Sequence, residues 1–367
     1  MSTNCFHVYP YNPFHPCSNI KELSSVFGKE KMKTLTVFTP TYNRKHTIVR
    51  TYESLCHQSC ADFDWLIIDD GSSDGTRIWV ESLGEKILDS GTRFDWMGRL
   101  LNEEDNNHFT IKTDKLSIEY IYKPNGGLYT GYNTAYATIQ TELCVCIDSD
   151  DYMPDDAVEK IITLWRKYYP TDVRCMDVSP VTSRTYCGIQ GLDFNVVDGQ
   201  PIGGKFPEGL KEVFMHELHL KRMHSGDTKQ VLRTDLMKKV SPMIGFEGEK
   251  NFNPIYMMIQ VCDQYPFLIL NENLCWVEYQ IGADSMSQGI FRQYVNSPRS
   301  FAKLRLLEMT LKHNTLKDKC RSAIHYVSSC MLAKDKDWLR KSPERLLTVM
   351  LAPLGVALYG YIRFKNK

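Results

Sequence analysis

Three short apolar segments of this 367-residue chain each end in polar side chains. They are LTVFT at 35–39, FDWLIID at 63–69 and LCVCID at 143–148, and a turn and a stretch of helical periodicity follow each of them. Strands that alternate with helices in this way form an α/β fold, a mostly parallel sheet with helices on its faces. Because ligands bind such sheets at the carboxyl edge of the strands, we expect the three polar ends to form one pocket.

The overall composition argues against a general affinity for nucleic acid. Lys plus Arg and Asp plus Glu both number 44, so the chain has no net charge with which to attract a phosphate backbone. Hydrophobic residues make up 43% of the sequence, which is enough for a large core. Any charged binding site must therefore be local.

The cysteines and the N-terminal segment indicate a reducing compartment. Twelve cysteines are scattered without a CxxC pair, which favours small core side chains over a zinc site or a disulfide frame. Residues 1–19 contain no basic region followed by an apolar run, so we expect no export and a cytoplasmic protein.

An acidic cluster, DSDD at 148–151, follows the third apolar segment. Carboxylates this close repel one another unless a cation or protons relieve the repulsion. Their hard oxygen atoms suit Mg²⁺ or Mn²⁺, which take one or two protein carboxylates and leave positions for substrate phosphates. A structural turn rich in aspartate is an equally good interpretation of the spacing alone.

The second segment runs into Asp69-Asp70-Gly71, and the first is followed by Tyr42. Asp-Gly is a turn signal, and the serines after it can begin the next helix, so a purely local role is one interpretation. The alternative is a carboxylate that accepts a hydrogen bond from a base, beside a ring that stacks on that base. Together with the acidic cluster, these residues describe a site for a nucleoside diphosphate.

Four motifs, TPTYNR, WLIIDDGSSDGT, NGGLYTGYN and CIDSDDYMPDDA, follow one another within residues 34–165. In order and spacing this set resembles glycosyltransferase family 2, with its GT-A fold. The resemblance implies an inverting transferase that uses a nucleotide sugar, in particular a uridine diphosphate sugar, and a divalent metal, Mn²⁺ or Mg²⁺. It also implies a saccharide or lipid-linked acceptor and a role in cell-surface polysaccharide biosynthesis.

The resemblance carries roles over to matching positions. The residues assigned to the nucleotide are Pro40, Tyr42, Arg44, Asp69, Asp70, Asn125, Gly127 and Asp148. Those assigned to the DXD metal motif are Asp148 and Asp150, with Asp151 and Asn133 in support.

Two positions depart from the family pattern. Similar sequences often carry basic residues where this chain has Leu128 and Tyr132. A phosphate or acceptor contact is therefore lost or supplied elsewhere, for example by Arg44 or Lys45. The same departure leaves open a degenerate, non-catalytic module that binds nucleotide sugars.

Displacement at the anomeric carbon needs a base that deprotonates the acceptor hydroxyl. In the family this carboxylate lies downstream of the metal motif, a place that GFEGEKNFNP at 245–254 fits. Our first candidate is Glu249, and its competitors are Glu247 and Asp227. All three are also consistent with ordinary loop residues.

The domain organisation follows from these assignments. We expect an N-terminal arm at 1–30 and a catalytic domain at 31–285. That domain consists of a nucleotide-binding half, 34–165, and an acceptor half, 166–285. A helical extension follows at 286–367.

Within the extension, residues 299–341 are amphipathic, and they either pack against the catalytic core or form a dimer contact. Residues 346–362 carry no charge and have basic flanks. Residues 346–362 are consistent with a buried helix, an interfacial anchor or a membrane span. We favour peripheral contact with an anionic leaflet, at the inner face of the plasma membrane.

Overall fold

The computed structural model describes residues 32–88, 93–94, 100–101, 107–170, 185–221, 223–278 and 289–366. The chain divides into two compact units, Met1–Met32 and Lys33–Lys367, and every element below belongs to the second. The predicted arm at 1–30 lies outside the described residues, so the structure leaves that prediction untested.

Strands and helices alternate over 35–81 and again over 117–168, as the sequence predicts, and further strands lie between these two stretches. The strands of the described residues are β1 (Leu35–Thr41), β2 (Phe63–Asp69), β3 (Glu85–Leu88), β4 (Arg93–Phe94), β5 (Leu100–Leu101), β6 (His108–Lys112), β7 (Ser117–Tyr122), β8 (Leu143–Cys146), β9 (Gly188–Asn195), β10 (Glu212–Val213), β11 (Thr228–Arg233) and β12 (Phe267–Val277). The helices are α1 (Lys45–Cys56), α2 (Thr76–Glu81), α3 (Leu128–Thr138), α4 (Ala157–Tyr168), α5 (Met215–Leu220), α6 (Thr234–Val240), α7 (Ile255–Cys262), α8 (Ile290–Asn296), α9 (Pro298–Thr310), α10 (Leu316–Leu332), α11 (Trp338–Lys341) and α12 (Arg345–Lys365).

Ten of these strands form one mixed sheet, in the order β10-β12-β9-β11-β8-β1-β2-β7-β6-β3. The four central strands, β8, β1, β2 and β7, run parallel to one another. Leu35 of β1 lies opposite Phe63 of β2 and Leu143 of β8, so the carboxyl ends of these three strands reach the same edge. The predicted α/β fold class is confirmed, and its central strands are those that carry the polar motifs.

Helices cover both faces of the sheet and make a three-layered core. On one face, Ile48 of α1 and Trp165 of α4 belong to the same buried cluster as Trp65 of β2. On the other face, Tyr136 of α3 and Met257 of α7 are buried in a second cluster. Each large apolar side chain of this kind stabilises the fold by about 1.5–3 kcal/mol through its removal from water.

The segment predicted as amphipathic helix at 299–341 forms α9, α10 and α11. Helix α10 begins with a capping box, in which Thr315 and Asp318 exchange hydrogen bonds with each other's backbone N–H groups. Ala323 and Tyr326 of α10 and Met309 of α9 are buried together in a separate cluster. The extension therefore has a core of its own beside the sheet.

Helix α12 contains the whole uncharged segment predicted at 346–362. Among the described residues it is the one helix whose length and apolar composition would allow it to cross a membrane. Only 17% of its most apolar 18-residue stretch is buried within the protein.

Candidate active site

The loops that follow β1 and β2 hold each other in place. Asn43 adopts a left-handed backbone with φ 52°, and its N–H donates to Ser72 Oγ at 2.9 Å. In return, the N–H of Ser73 donates to Asn43 Oδ1 at 2.8 Å. This exchange presents the ring of Tyr42, which is 50% exposed, at the edge of the sheet. Pro40, also assigned to the nucleotide, is buried at the end of β1.

Asp70 joins the end of β2 to the glycine-rich loop before α3. Its carboxylate accepts hydrogen bonds from the backbone N–H groups of Gly126 at 2.9 Å and Gly127 at 2.8 Å. The same carboxylate forms an ion pair with Lys123. Asp70 is only 6% exposed, so its first role is to position this loop. A contact with a nucleotide base stays a prediction.

Asp69 supports the loop from below. Its carboxylate accepts hydrogen bonds from the Ser72 N–H at 2.7 Å and from the Tyr120 hydroxyl at 2.6 Å. Burial, together with the charge of Asp69, raises the pKa of the Tyr120 phenol. Since Asp69 is 0% exposed, it acts through the loop that it orients and does not reach a ligand in this conformation.

The glycine-rich loop passes close to the segment FEGEK. A Cβ atom on Gly127, which has φ 93°, would lie 2.3 Å from the carbonyl oxygen of Lys250. Asn125 donates to the Asp70 carbonyl at 2.9 Å, and its own side-chain oxygen accepts a hydrogen bond from Lys250 Nζ. Asn133, assigned a supporting role, is buried and exchanges two hydrogen bonds with the backbone of Met243. Both asparagines thus hold the α3 region to the downstream segment.

The acidic cluster follows β8 at the same edge of the sheet. Asp148 is exposed, Asp150 is half-buried and Asp151 is buried. Burial and the charge of Asp148 raise the pKa of Asp150, whereas the charges of Arg44 and Arg50 oppose that rise. The guanidinium of Arg44, from the first motif, therefore acts electrostatically on Asp150 of the fourth motif.

A cavity of ≈ 260 Å³ lies beside Asp148, and the positions that depart from the family pattern line it. Leu128 and Tyr132 form part of its wall, and so does Lys229 of β11. Arg44 and Lys45 are the substitutes for a missing basic side chain that the sequence suggests. The structure adds Lys229, which carries a positive charge to the same cavity wall.

Glu249, our first candidate for the base, caps the start of α9. Its Oε1 accepts hydrogen bonds from Arg299 N–H at 3.1 Å and Arg299 Nε at 2.9 Å. Its Oε2 accepts from the backbone N–H and the hydroxyl of Ser300, both at 2.7 Å. A carboxylate offers about four acceptor positions, and all four are occupied here. This geometry does not support Glu249 as the base, because no lone pair is left for an acceptor hydroxyl.

Four motifs therefore converge on one edge of a parallel sheet, with an exposed ring, a glycine-rich loop and an acidic cluster. Residues 36–102 and 105–186 match the sequence family described as Glycosyl transferase family 2. These residues, about two fifths of the chain, are similar to family 2 glycosyltransferases.

Known proteins resemble this chain in sequence and in structure. Chondroitin synthase of Escherichia coli is 28% identical over 138 residues, which are 38% of this chain and 16% of the relative. The crystal structure of S. aureus TarS has a TM-score of 0.53 at 15% identity, over 91% of this chain and 53% of that one. TarS 1-349 in complex with UDP-GlcNAc gives 0.53 at 16% identity, over 91% and 88%. The chain thus spans only part of chondroitin synthase and of the longer TarS chain, and the likeness to TarS shows the GT-A fold.

Two buried charged residues of this chain, Lys229 and Asp193, were not identified from the sequence. Lys229 Nζ lies 3.7 Å from Asp151 Oδ2 and 3.8 Å from Asp193 Oδ1. Burial raises the pKa of Asp151 to about 7 and that of Asp193 to about 6, although Lys229 lowers both. The sequence does contain a signal for these two residues. Each is a charged residue within an otherwise apolar strand, in GLDF at 191–194 and in KQVL at 229–232. Only the antiparallel pairing of β9 with β11 brings the two strands together.

Arg50 of α1 is a third residue that the sequence analysis missed. It donates to the carbonyl of Asp150 at 2.6 Å and to Glu278 Oε2 at 2.7 Å. Its guanidinium also lies 4.8 Å from the centre of the Tyr152 ring. Arg50 therefore fixes the backbone of the acidic cluster, but its position in an ordinary amphipathic helix gave no sign of this.

Proposed function

We propose that this glycosyltransferase transfers a hexose or N-acetylhexosamine from a uridine diphosphate sugar to a saccharide or lipid-linked acceptor, with inversion at the anomeric carbon. The role that fits is a step of cell-surface polysaccharide biosynthesis. The observation that carries the proposal is the convergence of Tyr42, the Asp70 loop and the acidic cluster at one edge of the sheet. The likeness to a TarS structure in complex with UDP-GlcNAc supports the choice of donor.

The donor's base would stack on Tyr42, whose ring is the exposed aromatic group of the β1 loop. Arg44 follows it and extends the positive charge toward Asp150. Between the ring and the acidic cluster, the donor's diphosphate would be flanked by Arg44 and, at the cavity wall, by Lys229.

The acidic cluster fits a divalent cation. Asp148 and Asp150 offer hard oxygen ligands, and the pKa of Asp150 is raised by burial and by the charge of Asp148, a repulsion that a cation relieves. No group of three or more His, Cys, Asp or Glu side chains within the described ranges is arranged to hold a metal by itself. Two carboxylates suffice for Mg²⁺ or Mn²⁺ when substrate phosphates supply further ligands. When bound, the cation would neutralise charge on the leaving diphosphate.

The transfer step is a displacement. The acceptor oxygen forms a bond to the anomeric carbon, the bond from that carbon to the phosphate oxygen breaks, and uridine diphosphate leaves with the electron pair. The acceptor's proton passes to a carboxylate. Asp227 fits this role better than Glu249, because Asp227 is exposed whereas the acceptor positions of the Glu249 carboxylate are occupied.

The test is a calorimetric titration of the full chain with UDP, GDP, ADP and CDP, with and without Mn²⁺, followed by an assay of UDP-sugar hydrolysis. We expect tight binding of UDP that requires Mn²⁺, and slow hydrolysis of one UDP-sugar. Binding of a different nucleotide would overturn the choice of donor.

The replacement of two basic positions by Leu128 and Tyr132 favours a second candidate, a non-catalytic module that binds nucleotide sugars. Such a module would bind UDP with Mn²⁺ but would neither hydrolyse nor transfer the sugar under any condition. Metal-dependent turnover would exclude it.

A further inference from the structure

Helix α12 presents an apolar face to solvent along its whole length. Leu346, Met350 and Phe364 are 77%, 68% and 73% exposed. At 100° per residue these three side chains fall within about 40° of one another around the helix axis. The other large apolar side chains exposed on α12 are Val349, Leu354, Val356 and Tyr361. We refer to these seven residues as the α12 stripe, which extends for about 27 Å at 1.5 Å per residue.

The opposite side of α12 is attached to the protein. Thr348, Gly355 and Ile362 recur every seven residues and are buried. A Cβ atom on Gly355 would lie 2.5 Å from Val327 Cβ of α10, so the two helices touch at this glycine. The helix is therefore held by one side, and the α12 stripe faces away from the rest of the chain.

This attachment argues against a helix that crosses a bilayer. A spanning α12 would have to leave α10 and uncover Gly355 and Ile362. Pro353 also removes one backbone hydrogen bond, and the freed carbonyl is costly in hydrocarbon but tolerated at a hydrated interface.

The charges beside the α12 stripe are basic at both ends. Arg345 lies at its N-terminal end, and Arg363 and Lys365 lie at its C-terminal end. Within the described part of the chain, none of the three has a carboxylate within ion-pair distance; Arg345 donates to the Arg340 carbonyl and Arg363 to the Tyr359 hydroxyl. The nearby acids already have basic partners; these acids are Asp335, Asp337 and Glu344.

This charge pattern distinguishes between two occupants of the stripe. If a second copy of the chain packed its own stripe against this one, a parallel or an antiparallel arrangement would place basic ends together. An anionic lipid surface instead complements both ends while it buries the apolar side chains between them. Aromatic side chains such as Tyr361 also favour the interface between headgroups and hydrocarbon.

We propose that the α12 stripe binds the surface of an anionic lipid bilayer, with the helix axis in the plane of the membrane. The side chains of Leu346, Met350 and Phe364 enter the boundary between headgroups and acyl chains. Arg345, Arg363 and Lys365 contact lipid phosphates. This surface is separate from the nucleotide site and does not depend on the proposed donor or acceptor.

The test is co-sedimentation of the full chain with vesicles of phosphatidylcholine alone and of phosphatidylcholine mixed with phosphatidylglycerol. We expect binding to the mixed vesicles that weakens as salt is added. The triple variant Leu346→Glu/Met350→Glu/Phe364→Glu should bind them at least about tenfold more weakly, since three apolar side chains no longer enter the bilayer.

The matched control is Ile78→Glu/Leu316→Glu/Val197→Glu, whose side chains are 71%, 70% and 86% exposed and lie outside α12. It adds the same three carboxylates and should bind vesicles as the unmodified chain does, apart from a small general charge effect. A second variant, Arg345→Gln/Arg363→Gln, should lose about tenfold in its preference for anionic over neutral vesicles.

Three results would overturn the proposal. One is equal binding of the stripe variant and the matched control. Another is the absence of binding to vesicles of either composition. The third is a dimer in sedimentation equilibrium that the stripe variant dissociates, which would make a second copy the occupant.

Discussion

At the scale of single residues, the hydrogen-bond partners of each carboxylate separate structural acids from candidate functional acids. Both oxygens of Asp69 and Glu249 are occupied by donors of the chain. Asp150 instead is half-buried beside the charge of Asp148, which raises its pKa, while a backbone hydrogen bond and the charges of Arg44 and Arg50 lower it. We expect the second kind of acid to tolerate neutralisation without loss of stability.

The first prediction concerns Asp150→Asn. Loss of one metal-binding carboxylate should reduce sugar transfer by about 100-fold or more, and UDP should no longer bind more tightly with Mn²⁺. The melting temperature should stay the same or rise, since the change removes repulsion with Asp148. Asp155→Asn, an exposed acid of the same loop, is the control and should behave as the unmodified enzyme. Full activity of Asp150→Asn would remove this residue from the mechanism.

The second prediction separates the candidate bases. Glu249→Gln should destabilise the protein by about 1–3 kcal/mol, because it loses the ion pair with Arg299 and part of the cap of α9. Asp227→Asn should lower kcat by about 100-fold or more with little change in donor affinity. Urea unfolding and steady-state kinetics measure the two effects. A stable Glu249→Gln enzyme with strongly reduced kcat would return the role of base to Glu249.

At the scale of elements, the site depends on how closely two loops approach. The glycine-rich loop before α3 touches the FEGEK segment at Gly127, where a side chain has no room. Asp70 then uses the N–H groups of this loop to fix the end of β2. The geometry of the site is thus set by loop contacts between elements that are far apart in sequence.

The third prediction tests this contact with Gly127→Ala. The change combines an unfavourable left-handed backbone with a clash against the Lys250 carbonyl, so we expect a loss of about 2 kcal/mol or more and weaker UDP binding. Gly204→Ala is the matched control, since its φ is 89° but nothing lies within 4 Å of the new Cβ. It should cost about 1 kcal/mol and leave UDP binding unchanged. Equal losses in both variants would mean that backbone strain alone matters.

At the scale of the whole molecule, a helical extension with a core of its own ends in α12, of which Leu347, Leu351 and Leu358 pack against that core and Ile362 is buried. Gly355 allows α12 to approach α10, and Ile362 is buried beside Phe301 of α9 and Tyr294 of α8. Gly355 is therefore the point at which α12 approaches α10 too closely for a larger side chain.

The fourth prediction concerns this attachment. Gly355→Leu should displace α12 from α10, so we expect faster proteolysis within 342–366 and a loss of about 2 kcal/mol or more. Gly360→Ala lies on the same helix with open space around its Cβ, and should instead stabilise it by about 0.5–1 kcal/mol. Limited proteolysis and urea unfolding compare the two. Unchanged proteolysis of Gly355→Leu would show that the packing at this glycine does not hold the helix.

The sequence by itself determined the α/β class and the edge at which the motifs meet. The spacing of apolar residues and the presence of turn residues are local signals. They predict β1, β2, β7 and β8 and the helices that follow these strands. Parallel strands place their carboxyl ends together, so a shared pocket follows from the pattern alone. The family resemblance then supplied roles for the polar residues at that edge, and most of those roles stay predictions.

Only the tertiary structure decided which charged groups are free to act. The cap of Glu249 on α9, the contact of Lys229 with Asp151 and the hold of Arg50 on the acidic loop each join segments 50 or more residues apart. The attachment of α12 is decided in the same way, by an approach at Gly355 that no local pattern encodes. Burial and hydrogen-bond saturation are properties of neighbours in space, and neighbours in space exist only after the chain has folded.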